Sequence, residues 1–288
     1  MKRLILSLSA LMASIGSVIA QTADNTVDIF FNGTSATVSV AANISSYITV
    51  TSGSSSHVKL VQSGSVNESV GEITYTLSGT STDGEFYMEG SYKASFELNG
   101  LTLTNPSGPA INIQDGKRIK MSVKNGTINK LTDGANADYN GCIHCKGHLE
   151  MKGKGELTVT GNSKHGIYSK EYMQVKNCTI NITAAAKDGI HCKEYFLMES
   201  GNISIANATD DGIQVEIDDD ISATGVTAEH EDENTGNFYM LDGILSISNY
   251  GSKAVVADGS LNFNGGTQNF DMNDTKCAVN LLKQPNND

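Results

Sequence analysis

Four short segments of the chain repeat one arrangement of side chains that could contact a charged ligand. Each begins with isoleucine, has a polar or aromatic residue at its second position and has a charged residue at its fourth. The fourth residue is lysine in three of them, and an aromatic or imidazole face beside a cation is a common sugar-contacting combination. The segments are residues 143–146, 167–170, 190–193 and 213–216, which begin 24, 23 and 23 residues apart.

Alternation along a strand would place the second and fourth residues of each segment on one outward surface. Stacked about 4.8 Å apart, equivalent residues of neighbouring repeats would form columns. Three ammonium groups in a column repel one another by roughly 1 kcal/mol per neighbouring pair even in water, and a polyanion lying along them would relieve that repulsion. The predicted carbohydrate-binding residues are His144, Lys146, Tyr168, Lys170, His191 and Lys193.

This surface also has a simpler interpretation. Glu171 and Glu194 directly follow two of the lysines, and exposed charges of opposite sign would offset one another with little energetic effect. We expect His144 and His191 to be neutral surface residues rather than metal ligands, because Tyr168 lies between them in the column.

Carboxylates are concentrated where the repeat turns. Asp188 precedes Gly189, and Asp210 and Asp211 precede Gly212 one repeat later, so these three side chains should lie close together. Ca²⁺ takes about six to eight oxygen ligands from carboxylates and backbone carbonyls. Retention of the carboxylates for solubility is the alternative. The predicted Ca²⁺ ligands are drawn from Asp188, Asp210, Asp211, Glu216, Asp218, Asp219 and Asp220.

Short strands must position these residues. Each repeat contains three pieces in which inward-facing residues alternate with others, for example Ile167-x-Ser169, Met173-x-Val175 and Ile180-x-Ile182. Alternation indicates strands with one buried face, and a fixed period of about 23 residues indicates a solenoid. The sequence therefore predicts an all-β fold, a right-handed parallel β-helix with three strands per coil.

The two ends of the chain differ from the repeats. Residues 1–20 combine a positive start, a short apolar core and a small-residue exit, which predicts a signal peptide and a secreted or cell-surface protein. No later apolar stretch is long enough to span a bilayer. Residues 21–70, rich in Ser, Thr and Val, are predicted to form an N-terminal β cap over open strand edges. Residues 71–288 are predicted to form the β-helix.

Composition narrows the range of partners. The formal net charge is −12, and it falls to −14 when Lys2 and Arg3 leave with the signal peptide, so that Arg118 is the remaining arginine. Nucleic acid is disfavoured because phosphate binding needs clustered cations. The chain has five cysteines, Cys142, Cys145, Cys178, Cys192 and Cys277. Residues three apart on a strand point to opposite faces, which argues against joint zinc binding by Cys142 and Cys145. The repeat places Cys145 and Cys192 at one inward position with Ser169 and Val215, so we interpret these two as small core residues, and a disulfide between them stays possible.

Several stretches between residues 75 and 215 carry a more specific signal. They are LSGTSTDG (77–84), LNGLTLTNPSGPAINIQ (98–114), LTDG (131–134), GELTVTGNSKHGI (155–167), TAAAKDGIH (183–191) and DDGIQ (210–214). In these stretches the chain resembles a family of secreted carbohydrate-binding β-helix proteins with a pectate-lyase-like fold. The resemblance implies non-catalytic binding of an acidic, pectin-type plant polysaccharide together with Ca²⁺.

Two alternatives stay open. One is a polysaccharide lyase of the same fold, and the other is a cell-surface adhesin or structural solenoid. Elements resembling those of polygalacturonase-type hydrolases occur at residues 118–120, 165–166 and 210–211, but in reverse order. Arg118 would lie about 20 Å from Asp211 at the strand spacing, too far for shared chemistry. We therefore favour a monomeric binding protein over an enzyme.

Overall fold

Strands that recur at a fixed interval build a parallel β-solenoid of about eight turns. The computed structural model describes residues 22–53, 55–136, 138–219 and 233–271. The predicted signal peptide, Asp220 and Cys277 lie outside these residues. Within them, no helix has the length and apolar character needed to cross a bilayer. The predicted all-β parallel fold with three strands per coil is confirmed.

The N-terminal part of the chain contains two antiparallel strand pairs. Its strands are β1 (Thr26–Asn32), β2 (Ser35–Val40), β3 (Ile48–Ser52), β4 (His57–Gln62), β5 (Ile73–Ser81), β6 (Glu85–Glu89) and β7 (Ala94–Thr104), with a 3-10 turn at Ala42–Ile44. β1 pairs with β2, and β3 pairs with β4. Parallel pairing begins with β1 on β5 and β4 on β6. The antiparallel pairs fall within residues 21–70, where we predict a cap.

Six regular coils follow, each with three strands. The strands are β8 (Ile111–Gln114), β9 (Ile119–Val123), β10 (Ile128–Thr132), β11 (Gly141–Cys145), β12 (Leu149–Gly153), β13 (Glu156–Gly161), β14 (His165–Ser169), β15 (Met173–Lys176), β16 (Cys178–Ala185), β17 (Ile190–Lys193), β18 (Tyr195–Met198), β19 (Gly201–Ile205), β20 (Ile213–Glu216), β21 (Asn237–Met240), β22 (Ile244–Ile247), β23 (Val255–Ala257), β24 (Leu261–Phe263) and β25 (Thr267–Phe270).

The coils stack in register to give three faces. Face 1 consists of β8, β11, β14, β17, β20 and β23, hydrogen-bonded in that order. Face 2 consists of β9, β12, β15, β18, β21 and β24, and face 3 of β10, β13, β16, β19, β22 and β25. The long strand β7 pairs with both β9 and β10 and so joins faces 2 and 3 into one sheet. Every outward residue therefore has a counterpart in the neighbouring coil.

Inward residues form continuous apolar ladders inside the three faces. On face 1, Ile143, Ile167, Ile190 and Ile213 are in register and fully buried. On face 2, the rings of Phe196 and Phe238 stack with centroids 5.3 Å apart. Fully burying one such aliphatic or aromatic side chain stabilises the fold by about 1.5–3 kcal/mol. The solenoid is thus held together by contacts between coils rather than within one coil.

The cysteines belong to the same interior. Cys145 and Cys192 occupy one inward ladder position with Ser169 and Val215. The four cysteines in the described part of the chain are free and buried. Burial raises the pKa of the Cys142 thiol well above its usual value. Cys145 and Cys192 are core residues, as the repeat predicts, and Cys142 and Cys178 are buried as well.

Glycines at one position of face 1 let successive coils approach closely. Gly166, Gly189 and Gly212 immediately precede the strand isoleucines of β14, β17 and β20. A Cβ placed on Gly189 would lie 2.7 Å from the carbonyl oxygen of Gly212 and 2.7 Å from the side chain of Ile205. Real Cβ atoms do not approach other atoms this closely, so the coil spacing at this corner requires glycine.

We expect Gly189→Ala to destabilise the solenoid by about 1–3 kcal/mol, the usual cost of overpacking. The added methyl group would push apart the coils that carry Gly189 and Gly212. The shift of the urea unfolding midpoint, followed by far-UV circular dichroism, measures the effect.

Gly116→Ala is the matched control for this substitution. A Cβ at Gly116 meets no atom within 4 Å, so its replacement should leave the midpoint within experimental error. Equal midpoints for Gly189→Ala and Gly116→Ala would contradict the close-packing argument.

Candidate functional site

A cavity of about 390 Å³ opens on face 1 among the coils that carry β14, β17 and β20. It combines cations, imidazoles and one aromatic ring with a single acidic side chain. We call it the basic pocket, and its lining residues are Asn140, Lys164, His165, Tyr168, Lys187, His191, Lys193 and Glu216.

The outer column of face 1 supplies the middle of this pocket. His144, Tyr168, His191 and Gln214 are in register on successive coils, as predicted. The His144 and Tyr168 rings stack with centroids 5.2 Å apart, and those of Tyr168 and His191 are 5.5 Å apart. Stacking covers the rings, so that His144 and Tyr168 expose 8% of their surface and His191 exposes 6%. Little of their surface is therefore open to a ligand.

Asp188 anchors two imidazoles at the back of the pocket. Its Oδ2 lies 3.1 Å from Nδ1 of His165 and 3.1 Å from Nδ1 of His191. Its Oδ1 accepts a 3.0 Å hydrogen bond from the backbone N–H of Asp211. Burial alone would raise the pKa of this fully enclosed carboxyl, but the two imidazoles outweigh it and hold the pKa well below its usual range. Asp188 is therefore a fixed negative charge that orients both rings.

The three histidines of the site differ in the direction in which their pKa values are shifted. Burial lowers the pKa of His144 to about 4, so this ring is neutral at pH 7 as we expected. Burial also lowers the pKa of His165. At His191, burial acts in the same direction, but Asp188 and Glu216 outweigh it and raise the pKa. Nε2 of His191 lies 3.3 Å from Glu216 Oε2. The prediction that His144 and His191 are surface residues is wrong, because both are buried.

The lysines of the pocket are only partly those indicated by the repeat. Lys193 lines the pocket and lies 2.8 Å from Asp218 Oδ1. Lys146 and Lys170 follow the equivalent strands, β11 and β14, but are not among the pocket-lining residues. Two further lysines, Lys164 and Lys187, come from the turns that precede β14 and β17.

Sequence reasoning missed these two lysines although a signal was present. Lys164 and Lys187 are 23 residues apart and each stands three residues before a strand isoleucine. The backbone N–H of Lys187 donates to the carbonyl of Lys164, which stacks the two residues on neighbouring coils. One coil further, the N–H of Asp210 donates to the carbonyl of Lys187. The charge of the side chains in this column therefore changes from positive at the two lysines to negative at the aspartate.

The predicted Ca²⁺ ligands fall into separate places. Asp188, Asp210 and Asp211 come together, with one oxygen of each within 4.8 Å of the others, and we call them the acidic turn. Burial and the charge of Asp188 raise the pKa of Asp211. By contrast, the carboxylates of Glu216 and Asp218 pair with His191 and Lys193, Asp219 is exposed and Asp220 lies outside the described residues.

Comparison with known proteins identifies a family whose model matches most of the chain. A family model described as "Carbohydrate-binding domain-containing protein" matches residues 68–284. A protein of Acetivibrio thermocellus with the same description is 29% identical over 132 residues, which cover 41% of this chain and 46% of that protein. The match thus spans less than half of the relative's length.

A solved structure, described as the polysaccharide lyase-like protein from C. thermocellum in a gadolinium derivative, also resembles this chain. The likeness covers 89% of this chain and 98% of that one, with a TM-score of 0.60 and 22% identity. At this identity the likeness concerns the fold.

The His191–Glu216 pair predicts a pH-dependent contribution to stability. Because the pKa of His191 is raised, its contribution to stability is complete below pH about 6.5, the ordinary pKa of histidine. That contribution is lost as the pH rises through the raised pKa. The lowered pKa of Glu216 makes its contribution present above 4.5 and lost as the pH falls. We expect the wild-type advantage in melting temperature over His191→Gln to be greatest near pH about 5.5 and to shrink towards pH about 9.

His144→Gln serves as the control because its sign is opposite. Burial lowers the pKa of His144 to about 4. The melting temperature of the wild type relative to this variant should therefore increase as the pH rises to about 6.5 and stay constant above that pH. Parallel pH profiles for the two variants would contradict the assigned charges.

Proposed function

The chain belongs to the family of carbohydrate-binding domain-containing proteins, and on that basis we propose that it binds an acidic polysaccharide through the basic pocket. The observation that carries the proposal is the convergence of Lys164, Lys187 and Lys193 on one cavity beside stacked histidine and tyrosine rings. Uronic acid polymers of the pectin type present carboxylates and hydroxyls at regular intervals, which match cations and polar ring edges on successive coils.

Electrostatic range explains how an acidic protein can bind an acidic polymer. The whole chain carries a formal charge of −12, which disfavours a polyanion at long distance. At an ionic strength of 0.1 M, however, charges are screened beyond about 10 Å. Within that distance a bound carboxylate is attracted by the three lysines of the pocket, against the nearby carboxylates of Glu216 and Asp218. The partly enclosed position of the lysines also lowers the local dielectric and strengthens each contact.

We propose Ca²⁺ at the acidic turn as the second element of this function. Asp188, Asp210 and Asp211 bring three carboxylates together. Burial, and after it the negative charges of Asp188 and Asp210, raise the pKa of Asp211, and a cation would offset those charges. Two imidazoles already occupy one oxygen of Asp188, so Asp210 and Asp211 would be the main protein ligands. The remaining positions would be filled by backbone carbonyls, water or uronate oxygens.

The protein is proposed to act outside the cell as a monomeric, non-catalytic binder, in keeping with the leader-like residues 1–20. A polysaccharide lyase is the second candidate, and one observation favours it. His165 lines the pocket, its pKa is lowered by burial, and it is oriented by Asp188. A neutral imidazole of this kind can remove a proton beside a uronate carboxylate.

Replacing Lys164 and Lys187 with alanine should weaken binding to polygalacturonate at least about tenfold, or about 1.4 kcal/mol. Both cations that stack along the pocket would be lost while the histidine–aspartate arrangement is retained. Isothermal titration calorimetry at two salt concentrations measures the effect, and the salt dependence should become shallower in the double variant.

Lys152 and Lys154 are the charge-matched control pair, since both are exposed and outside the pocket. Their replacement by alanine should leave the affinity nearly unchanged. An equal loss of affinity in both double variants would show that binding depends on overall charge rather than on the basic pocket. Release of unsaturated uronides from the polymer by the wild type would show that the protein is a polysaccharide lyase rather than a non-catalytic binder.

Ca²⁺ should raise the melting temperature of the wild type in the absence of glycan, and Asp210→Asn should abolish most of that rise. At about 100 times its dissociation constant a ligand stabilises the native state by about 2.7 kcal/mol. Differential scanning fluorimetry in Ca²⁺ and in chelator measures the shift. An identical shift in Asp210→Asn would remove the acidic turn as the Ca²⁺ site.

A further inference from the structure

A second group of titratable side chains lies at the corner between faces 1 and 2, outside the basic pocket. Three carboxylates surround Nε2 of His148, which lies 2.9 Å from Glu171 Oε2, 3.5 Å from Glu194 Oε2 and 3.6 Å from Glu233 Oε2. We call these four residues the corner cluster. We propose that it binds one divalent transition-metal ion, with Zn²⁺ as the representative probe.

The register of the coils brings these residues together. His148 directly precedes Leu149 of β12, while Glu171 and Glu194 each stand two residues before Met173 and Phe196, which continue the Leu149 ladder. The cluster therefore joins three successive coils, and Glu233 adds the segment that leads into β21. Glu171 and Glu194 do not simply offset the lysines beside them, because both turn to His148.

The distances suit a tetrahedral ion. Nitrogen and oxygen ligands about 2.0–2.2 Å from Zn²⁺ lie about 3.3–3.6 Å from one another at tetrahedral angles. The separations from His148 Nε2 to the three carboxylate oxygens are 2.9, 3.5 and 3.6 Å. Ligand atoms of His148, Glu194 and Glu233 also lie within 4.8 Å of one another. His148, Glu194 and Glu233 are therefore the ligand set, and Glu171, 2.9 Å from the same ring nitrogen, lies beside them.

Burial and hydrogen bonding hold the carboxylates of the corner cluster in place. Oε2 of Glu171 is buried and lies 2.9 Å from Nε2 of His148, the distance of an ion pair. Glu194, only 1% exposed, has its Oε2 held by the backbone N–H of Tyr172 at 3.1 Å. Such a support orients a carboxylate ligand. The ring of Tyr172 stacks on His148 at 4.0 Å and covers the site.

Charge favours a divalent ion. Three carboxylates face one imidazole nitrogen in a largely enclosed place. A divalent cation among them would offset this excess of negative charge. An imidazole nitrogen among the ligands selects Zn²⁺ and similar ions over Ca²⁺, which prefers oxygen.

The proposal is tested on the metal-stripped mature protein by calorimetric titration with Zn²⁺, and by the visible spectrum of Co²⁺ as a substitute. We expect one equivalent of Zn²⁺ to bind with micromolar or tighter affinity and to raise the melting temperature. His148→Gln should weaken binding about 100-fold or more and abolish the Co²⁺ spectrum. Excess Ca²⁺ should not compete.

His57→Gln is the matched control. His57 also lies near two carboxylates, Asp83 and Glu85, but they contact opposite ring nitrogens and cannot share one ion with it. Binding should be unchanged in this variant. Absence of Zn²⁺ binding, displacement by Ca²⁺, or binding that survives His148→Gln would overturn the proposal, the last by placing the ion elsewhere. If His148→Gln does not fold, Glu194→Gln carries the test, and an unchanged affinity would then overturn the proposal.

Discussion

The backbone hydrogen bonds between parallel coils are the interaction on which the rest of the structure depends. They hold successive strands about 4.8 Å apart and in register, so that each residue meets its counterpart from the neighbouring repeat. In the interior this aligns Ile143, Ile167, Ile190 and Ile213 into one ladder. On the outside the same rule brings like charges and like rings together, whether or not their interaction is favourable.

The outer columns contain side chains whose mutual contacts are compatible with this alignment. Aromatic and imidazole rings can occupy a column because they stack, as His144, Tyr168 and His191 do. Lys164 and Lys187 are stacked on neighbouring coils, where a bound anion would reduce the repulsion between their like charges, and Nζ of Lys164 also donates to Asn140. Carboxylates on neighbouring coils need protons or cations. Imidazoles satisfy Asp188, whereas Glu171 and Glu194 converge on a single histidine.

The sequence predicts whatever depends on the repeat alone. Period and alternation predict the β-helix, the inward position of Cys145 and Cys192 and the register of the outer column, because all follow from strand geometry. They do not reveal that His191 is enclosed by Asp188 and Glu216. Nor do they reveal the corner cluster, since His148 and Glu171 occupy different positions of their repeats. Contacts at turns and corners depend on chain paths that alternation does not describe.

The change of sign along one column bears on how Ca²⁺ and glycan would be connected. Lys164, Lys187 and Asp210 succeed one another on three coils, so an extended polyanion that follows the lysines meets carboxylates at the next coil. Repulsion there would end the contact unless a cation lies between protein and polymer. Ca²⁺ at Asp210 and Asp211 could accept oxygens from both sides, because its coordination number exceeds what these two side chains supply. Binding of the ion and of the polymer would then be linked, each raising the affinity of the other by the same factor.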